Sequence, residues 1–270
     1  MIVRKFRFAG PNNFYPDNTE SIETFIHKHE KKVQSKCNAF SIICPHAGYI
    51  FSAQTAIRVL EKVKVPDHII LIGPNHTGEG ASPAIMTEGE WEVPGDTIKI
   101  DSNLADTLLK GSLFLKNDPI AHKNEHSLEV LLPLLHYFNK NMSFVPITMG
   151  DYSLEVIKDL KDALIKTASI QSTNFLVIAS TDMSHFVSRK VAERKDELAF
   201  AAIRNLDSIS LLETVRENNI TMCGSGPVAV SIDYAKHRGA KKATLVDYTD
   251  SGYVTGDTLS VVSYAGFIVE

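Results

Sequence analysis

Cysteine is scarce: Cys37, Cys44 and Cys223 are the only three in 270 residues. So small and odd a number excludes a disulfide framework and suits a reducing compartment. Long apolar runs are missing too, and none approaches the roughly 20 residues that cross a bilayer. The opening Met1-Ile2-Val3-Arg4-Lys5-Phe6-Arg7 lacks the apolar stretch of a secretory signal. The expectation is a soluble, cytoplasmic protein with no membrane partner. Neither sign of charge dominates, with 28 Lys+Arg against 32 Asp+Glu and a net charge of -4. Nothing in that balance predicts a nucleic-acid footprint, which would need a clustered basic face. Short pairs such as Lys241-Lys242 read as solvated surface. Asn75-His76-Thr77 fits a glycosylation pattern in form, but the expected compartment argues against its use.

Several chemical signatures are also absent. The chain has no His-Glu-x-x-His, no phosphate-cradling Gly-Lys-Ser loop, no dinucleotide Gly-x-Gly-x-x-Gly and no Cys-x-x-Cys. Low-complexity segments, linkers and repeats are missing. What remains is an ordinary globular mix, 44% hydrophobic and 22% charged. Helical patterns cover Glu20 to Val33, Ala53 to Val63, Ser102 to Leu109, Glu125 to Phe138, Ser153 to Ala168, Val191 to Asn205 and Ser208 to Asn218. In Glu125 to Phe138, Leu128, Leu131, Leu132 and Leu135 recur at helical spacing. Short β-rich runs separate these helices: Phe40 to Cys44, His68 to Ile72, Ser143 to Thr148, Phe175 to Ala179, Ala243 to Tyr248 and Leu259 to Val269. Alternation of this kind implies an α/β fold with a sheet covered on both faces, a single-domain αβα sandwich over residues 1–270. Glu79 to Asp101, which holds the only tryptophan, Trp91, is expected to form a hairpin or a loop bordering the site.

Three of the apolar runs end alike. One breaks into Pro45-His46-Ala47-Gly48-Tyr49, another into Gly73-Pro74-Asn75-His76-Thr77-Gly78, and a third into Ser180-Thr181-Asp182-Met183-Ser184-His185. Ligands of open α/β sheets collect at the carboxyl ends of strands, so three such histidines point to one site. Taken singly, His46 and His76 would read as turn histidines bonded to carbonyls. Together they favour a shared metal or catalytic centre. Cys223 lies in Met222-Cys223-Gly224-Ser225-Gly226-Pro227, a glycine-containing loop that opens a helix. A helix N-terminus there would lower the thiol pKa. Cys37 and Cys44 lack such a loop and read as small buried residues. Asp182, ionised at neutral pH, is the expected orienting partner of His185, which could act as a general base. His122, Glu125 and His126 form a further polar cluster at the expected start of a helix. Helix capping there is as good a reading as chemistry.

The blocks Pro45-His46-Ala47-Gly48-Tyr49-Ile50-Phe51-Ser52, Gly73-Pro74-Asn75-His76-Thr77-Gly78, Glu125-His126-Ser127-Leu128-Glu129-Val130, Asp182-Met183-Ser184-His185-Phe186 and Cys223-Gly224 occur in one order. Together they resemble the Memo family, the mediator of ErbB2-driven cell motility and its archaeal and bacterial relatives. The resemblance implies a fold similar to the class III extradiol dioxygenases, with a central mixed sheet between helix layers. Those enzymes hold iron(II) with two histidines and a carboxylate, and in the Memo family a cysteine replaces the carboxylate. Carried onto this chain, the metal ligands would be His46, His76 and Cys223, with Asp182, His185 and His126 as the flanking catalytic groups. Iron(II) is the expected ion, with copper and zinc as alternatives. Prokaryotic relatives are often encoded beside a radical SAM protein and an AMMECR1-domain protein, which implies a shared pathway. The chain departs from the family at Ala9–Pro16, where the loop is longer, and at Val93-Pro94-Gly95, which is a residue shorter. Both changes are expected at the pocket rim.

These residues carry a ranked set of functions. A redox metalloprotein comes first, since a thiolate and two imidazoles leave positions open on iron or copper. A binding or adaptor module using the same pocket for a peptide, small molecule or small anion comes second, as the family's mammalian members look like signalling adaptors. A hydrolase with Cys223 as nucleophile and His46 or His185 as base comes last.

Overall fold

The computed structural model describes residues 2–10, 13–31, 33–171 and 174–270. Pro11 and Asn12 of the lengthened Ala9–Pro16 loop, and Lys32 near the end of the expected Glu20–Val33 helix, lie outside the described residues, as do Met1, Ser172 and Thr173.

The elements follow one another largely as alternation demands. Strand β1 (Val3–Arg4) and helix α1 (Thr19–His29) lead to β2 (Ser41–Cys44), α2 (Tyr49–Leu60) and β3 (His68–Pro74). Short strands β4 (Ala84–Ile85), β5 (Glu90–Val93) and β6 (Asp96–Lys99) precede α3 (Ser102–Gly111), β7 (Lys116–Asn117) and α4 (Ile120–Lys123). Then come α5 (Leu132–Phe138), β8 (Ser143–Met149), α6 (Leu154–Ile170), β9 (Leu176–Ser180) and β10 (His185–Val187). The chain closes with α7 (Arg189–Arg204), α8 (Ser208–Glu217), α9 (Ser225–His237), β11 (Ala243–Asp250), α10 (Gly252–Thr255) and β12 (Val261–Val269). Side-chain oxygens start three of the helices: Asn18, Asp101 and Asp207 each accept a first-turn backbone N–H, from Ser21, Leu104 and Ser210.

Among the described residues nine strands form the main sheet, in the order β10-β12-β2-β9-β3-β8-β4-β7 with β11 also paired to β12. The centre, β2-β9-β3-β8, is parallel, while β12 runs antiparallel to β2 and β4 antiparallel to β8. The sheet is therefore mixed. All four residues of β2 and all five of β9 are buried, as expected of strands covered on both faces. Alternate residues serve opposite layers. Ile42 joins the core beneath α1, α2 and α5, and Ile43 joins a second core beneath α7, α8 and α9.

Two expectations need correction. The Leu128–Leu135 periodicity belongs to a 3₁₀ turn, Glu129–Leu131, followed by α5, so Glu125-His126-Ser127 is not helical. Glu125 therefore caps no helix. Residues 79–101 do contain a hairpin, β5–β6, whose Gly95 turns at φ +85. The hairpin is not a rim of the site. Trp91 packs edge-on against Phe144 at the start of β8, the far end of the sheet from His46 and His76. The shortened turn meets α1, where Thr19 donates to the Pro94 carbonyl at 2.8 Å.

Candidate metal centre

The parallel strands β2, β3 and β9 point the same way, so their exits meet at one end of the sheet. His46 follows β2 and is 1% exposed. His76 follows β3 and is open to solvent on one side. The two rings stand 5.2 Å apart, nearly perpendicular. Cys223 arrives from the loop before α9, with its Sγ 3.4 Å from His46 Nε2. One donor atom from each of His46, His76 and Cys223 lies within 4.8 Å of the other two. Three segments far apart in sequence thus deliver two nitrogens and a sulfur to one point.

The groups behind the histidines leave their Nε2 atoms facing that point. His46 Nδ1 lies 2.7 Å from Ser180 Oγ, and Ser180 donates onward to the Ser127 carbonyl at 2.6 Å. His76 Nδ1 lies 2.8 Å from Glu125 Oε1. The same carboxylate accepts the backbone N–H of His76 at 2.5 Å and of Ser127 at 2.8 Å. Burial alone would raise the Glu125 pKa. Its hydrogen bonds to His76 and Ser127 prevail and hold it down at about 2, so the carboxylate is charged. Residues 125–127 thus thread behind both rings. Gly73 makes room for them, since a Cβ there would sit 2.7 Å from Ser127 Oγ and from Leu128. The sequence marked Glu125 as polar, but its local setting gave no sign that it stands behind His76.

Cys223 is held differently. The Asp182 backbone N–H points at its sulfur from 3.2 Å, and the Tyr152 hydroxyl donates to its carbonyl at 2.6 Å. Burial, with the nearby Asp182 carboxyl, pushes the thiol pKa up to about 12. The expectation of a thiol lowered by the helix N-terminus is therefore overturned for the metal-free protein, because desolvation outweighs the dipole. Gly224 caps α9 and brings the loop against the end of β9. Asp182 does not orient His185. Its Oδ1 accepts the His46 backbone N–H at 2.9 Å, and burial lifts its pKa to about 6. His185 instead directs Nδ1 at the carbonyls of Met183 (2.8 Å) and Thr221 (2.9 Å). The next residue, Phe186, is 77% exposed at φ +56, a strained conformation for a bulky side chain.

His126 completes the cluster. It stacks on His76 at 4.6 Å and packs against Phe14 at 4.6 Å, and burial lowers its pKa to about 4. His122 is not part of it. That ring is fully buried near Trp91, behind the site. Glu129 is a residue that sequence reasoning missed. Fully buried, it accepts from Arg4 Nη1 (2.5 Å), the backbone N–H groups of Arg7 and Phe8, and the Tyr15 hydroxyl (each 2.8 Å). One carboxylate thereby ties down the N-terminal segment whose Phe8 and Phe14 wall in His126. Its one sequence signal was the Glu125–Glu129 spacing beside a histidine.

A sequence model described as Memo-like protein matches residues 4–268. The chain belongs to the Memo family. It is 35% identical to a MEMO1 family protein of Methanopyrus kandleri, over 96% of this chain and 97% of that one. MEMO1 family proteins of Methanobrevibacter smithii and Aquifex aeolicus are each 36% identical and cover 99% of both chains. Among solved structures it resembles the uncharacterized protein JW3007 of Escherichia coli K12. The TM-score is 0.52 at 12% identity, covering 83% of this chain and 98% of the other. That likeness concerns the fold alone, a mixed sheet between helix layers. Among the described residues, no helix is long and apolar enough to cross a membrane.

Proposed function

We propose that this Memo-family chain is a mononuclear metalloprotein with His46, His76 and Cys223 as ligands and a redox role. The observation that supports it is the convergence of two imidazole nitrogens and one sulfur within 4.8 Å. The donor set fits an ion. Both rings are anchored through Nδ1, which leaves Nε2 to coordinate, and a backbone N–H supports the sulfur. Iron(II) is the first choice, and mixed N/S donors also suit copper and zinc. Such an ion would supply a Lewis-acidic centre with vacant positions for substrate or oxygen. Around it, His126 and His185 would hold or move protons, and Asp182 would fix the turn that carries His46.

The nucleophile reading is disfavoured. His46 lies within reach of Cys223 Sγ, but a thiol raised to about 12 is protonated at neutral pH without a cation beside it. The adaptor reading keeps one supporting observation. A groove of about 400 Å³ lined by Phe14, Phe25, Tyr49 and Ile50 begins where the His46 turn enters α2. It would receive an apolar group of a peptide or small molecule.

The test is elemental analysis of protein purified without oxygen, then titration with iron(II), copper(I) and zinc(II). Stoichiometric binding should disappear in His46→Ala. Full retention of metal by that variant would sink the ligand assignment. Oxygen uptake with a substrate panel separates the redox protein from the binding module. A link to a radical SAM protein and an AMMECR1-domain protein would show as co-purification from cells.

A further inference from the structure

We infer that Ser180 is a positioning residue that fixes the tautomer of His46; the consequence for metal binding rests on the ligand set proposed above. The argument is a count of protons. Ser180 Oγ carries one hydrogen and has two polar neighbours, His46 Nδ1 at 2.7 Å and the Ser127 carbonyl at 2.6 Å. A carbonyl oxygen can only accept, so the hydroxyl hydrogen goes to Ser127. The hydroxyl oxygen is then an acceptor toward His46, and Nδ1 must carry the proton. In a neutral imidazole that leaves Nε2 bare.

Nε2 is the atom that faces Cys223 Sγ at 3.4 Å and Asp182 Oδ2 at 4.0 Å. Both neighbours can accept a hydrogen bond. Left to them, the imidazole would place its hydrogen on Nε2 and lose the lone pair that a metal needs. Ser180 prevents this with a neutral relay, hydroxyl to carbonyl, at a position fully shut from water. His76 reaches the same tautomer by another route, through the charged Glu125 carboxylate. The Ser127 carbonyl that anchors the relay is itself placed: the Ser127 hydroxyl donates to the Pro74 carbonyl at 2.9 Å, at the end of β3. The two histidines are thus pre-set by one segment, residues 125–127, acting through two different chemistries.

The experiment uses the full, metal-free chain with ¹⁵N-labelled histidine and long-range ¹H–¹⁵N spectra at mildly alkaline pH. Wild type should show His46 protonated at Nδ1. Ser180→Ala removes one oxygen from a buried site and should shift His46 to the Nε2-protonated form, with His76 unchanged. Ser180→Thr restores a hydroxyl and should restore the tautomer. Zinc(II), a redox-silent probe, should bind Ser180→Ala about 10–100-fold more weakly, the usual loss when a group supporting a ligand is removed. It should recover in Ser180→Thr. A Ser180→Ala protein with the wild-type tautomer overturns the inference, whatever its zinc affinity. Should Ser180→Thr not fold, the Ala spectrum decides alone. A wild type that binds no zinc, iron or copper refutes the metal reading and leaves the tautomer result to be judged on the spectra.

Discussion

Replacing Gly224 with alanine tests whether backbone approach, rather than side-chain identity alone, places the sulfur. A Cβ at Gly224 would lie 2.6 Å from Thr181 Cβ and 2.8 Å from Thr181 Oγ1, and nearer still to the Ser180 carbonyl oxygen. None of these is the tip of a flexible chain. All belong to the buried end of β9 or the residue after it. Ordinary contact starts at 3.4 Å, so relieving the 2.6 Å approach alone requires the loop to retreat by about 0.8 Å, and the closer carbonyl requires more. Metal–ligand distances tolerate deviations of only about 0.2 Å. The retreat would also stretch the 2.9 Å bond from the Gly224 N–H to Thr181 and the 3.2 Å approach of the Asp182 N–H to the sulfur. Overpacking of this kind costs about 1–3 kcal/mol, which a domain of ordinary stability survives. Zinc affinity at neutral pH should therefore fall about 100-fold, the upper end for disturbed supporting groups, while the protein still melts cooperatively. Cys223→Ser gives the benchmark for a lost sulfur. Wild-type affinity in Gly224→Ala, with a lowered melting temperature, would show that the loop's close approach has no part in holding the ligand.

Acid should destabilise the metal-free protein. Burial lowers the pKa of His29, His46, His122, His126 and His136, so from about pH 6.5 downward the unfolded chain takes up protons that the native state resists. Asp182, raised by burial to about 6, and Asp196, also raised by burial, work the other way and offset part of this. The five lowered imidazoles outnumber the two raised carboxyls, which predicts that urea denaturation midpoints fall as pH drops from 6.5 to 4, and a flat or rising profile would contradict the burial of these rings. Glu129→Gln leaves the Arg4 guanidinium without its buried counter-charge, a loss of about 3–5 kcal/mol in such pairs. The damage should stay local, as faster hydrogen exchange at the Arg7 and Phe8 amides with zinc binding retained, and unchanged protection of those amides would mean that Glu129 does not hold the segment.

The strands were legible because their signal is local. Buried runs such as Ile69-Ile70-Leu71-Ile72, ended by Gly73-Pro74, leave little choice of element. Their common polarity then predicted that His46 and His76 would meet, and the rings do stand 5.2 Å apart. The Cys223 loop was legible in position but not in charge state. A helix N-terminus can be read from Gly224-Ser225-Gly226-Pro227, whereas the desolvation that overrides it comes from the packed end of β9. The helix expected over Glu125 to Phe138 misled for a related reason. Leucine periodicity continues through the 3₁₀ turn at Glu129–Leu131, and only tertiary demand pulls residues 125–127 out of it. That demand comes from His76 and Ser180, neither of which is near in sequence. Glu129 was hidden likewise, since all four of its donors lie in residues 4–15.

The electrostatics of the cluster also weigh between the two readings. Metal-free, the protein keeps a buried thiol raised to about 12, a buried carboxyl raised to about 6 and a buried imidazole whose proton affinity is suppressed, all within one cluster. Each shift records a charge that the interior disfavours. An adaptor pocket gains nothing from such an arrangement, because apolar side chains would line it at lower cost. On the proposed reading the same groups are those a divalent cation would favour: it would draw the proton from the thiol, stabilise the carboxylate and require neutral imidazoles. The charged Glu125, by contrast, is already satisfied by three N–H donors and needs no ion. The protein's own hydrogen bonds thus complete the support behind His46 and His76, while Cys223 is left in a protonation state that a cation would change.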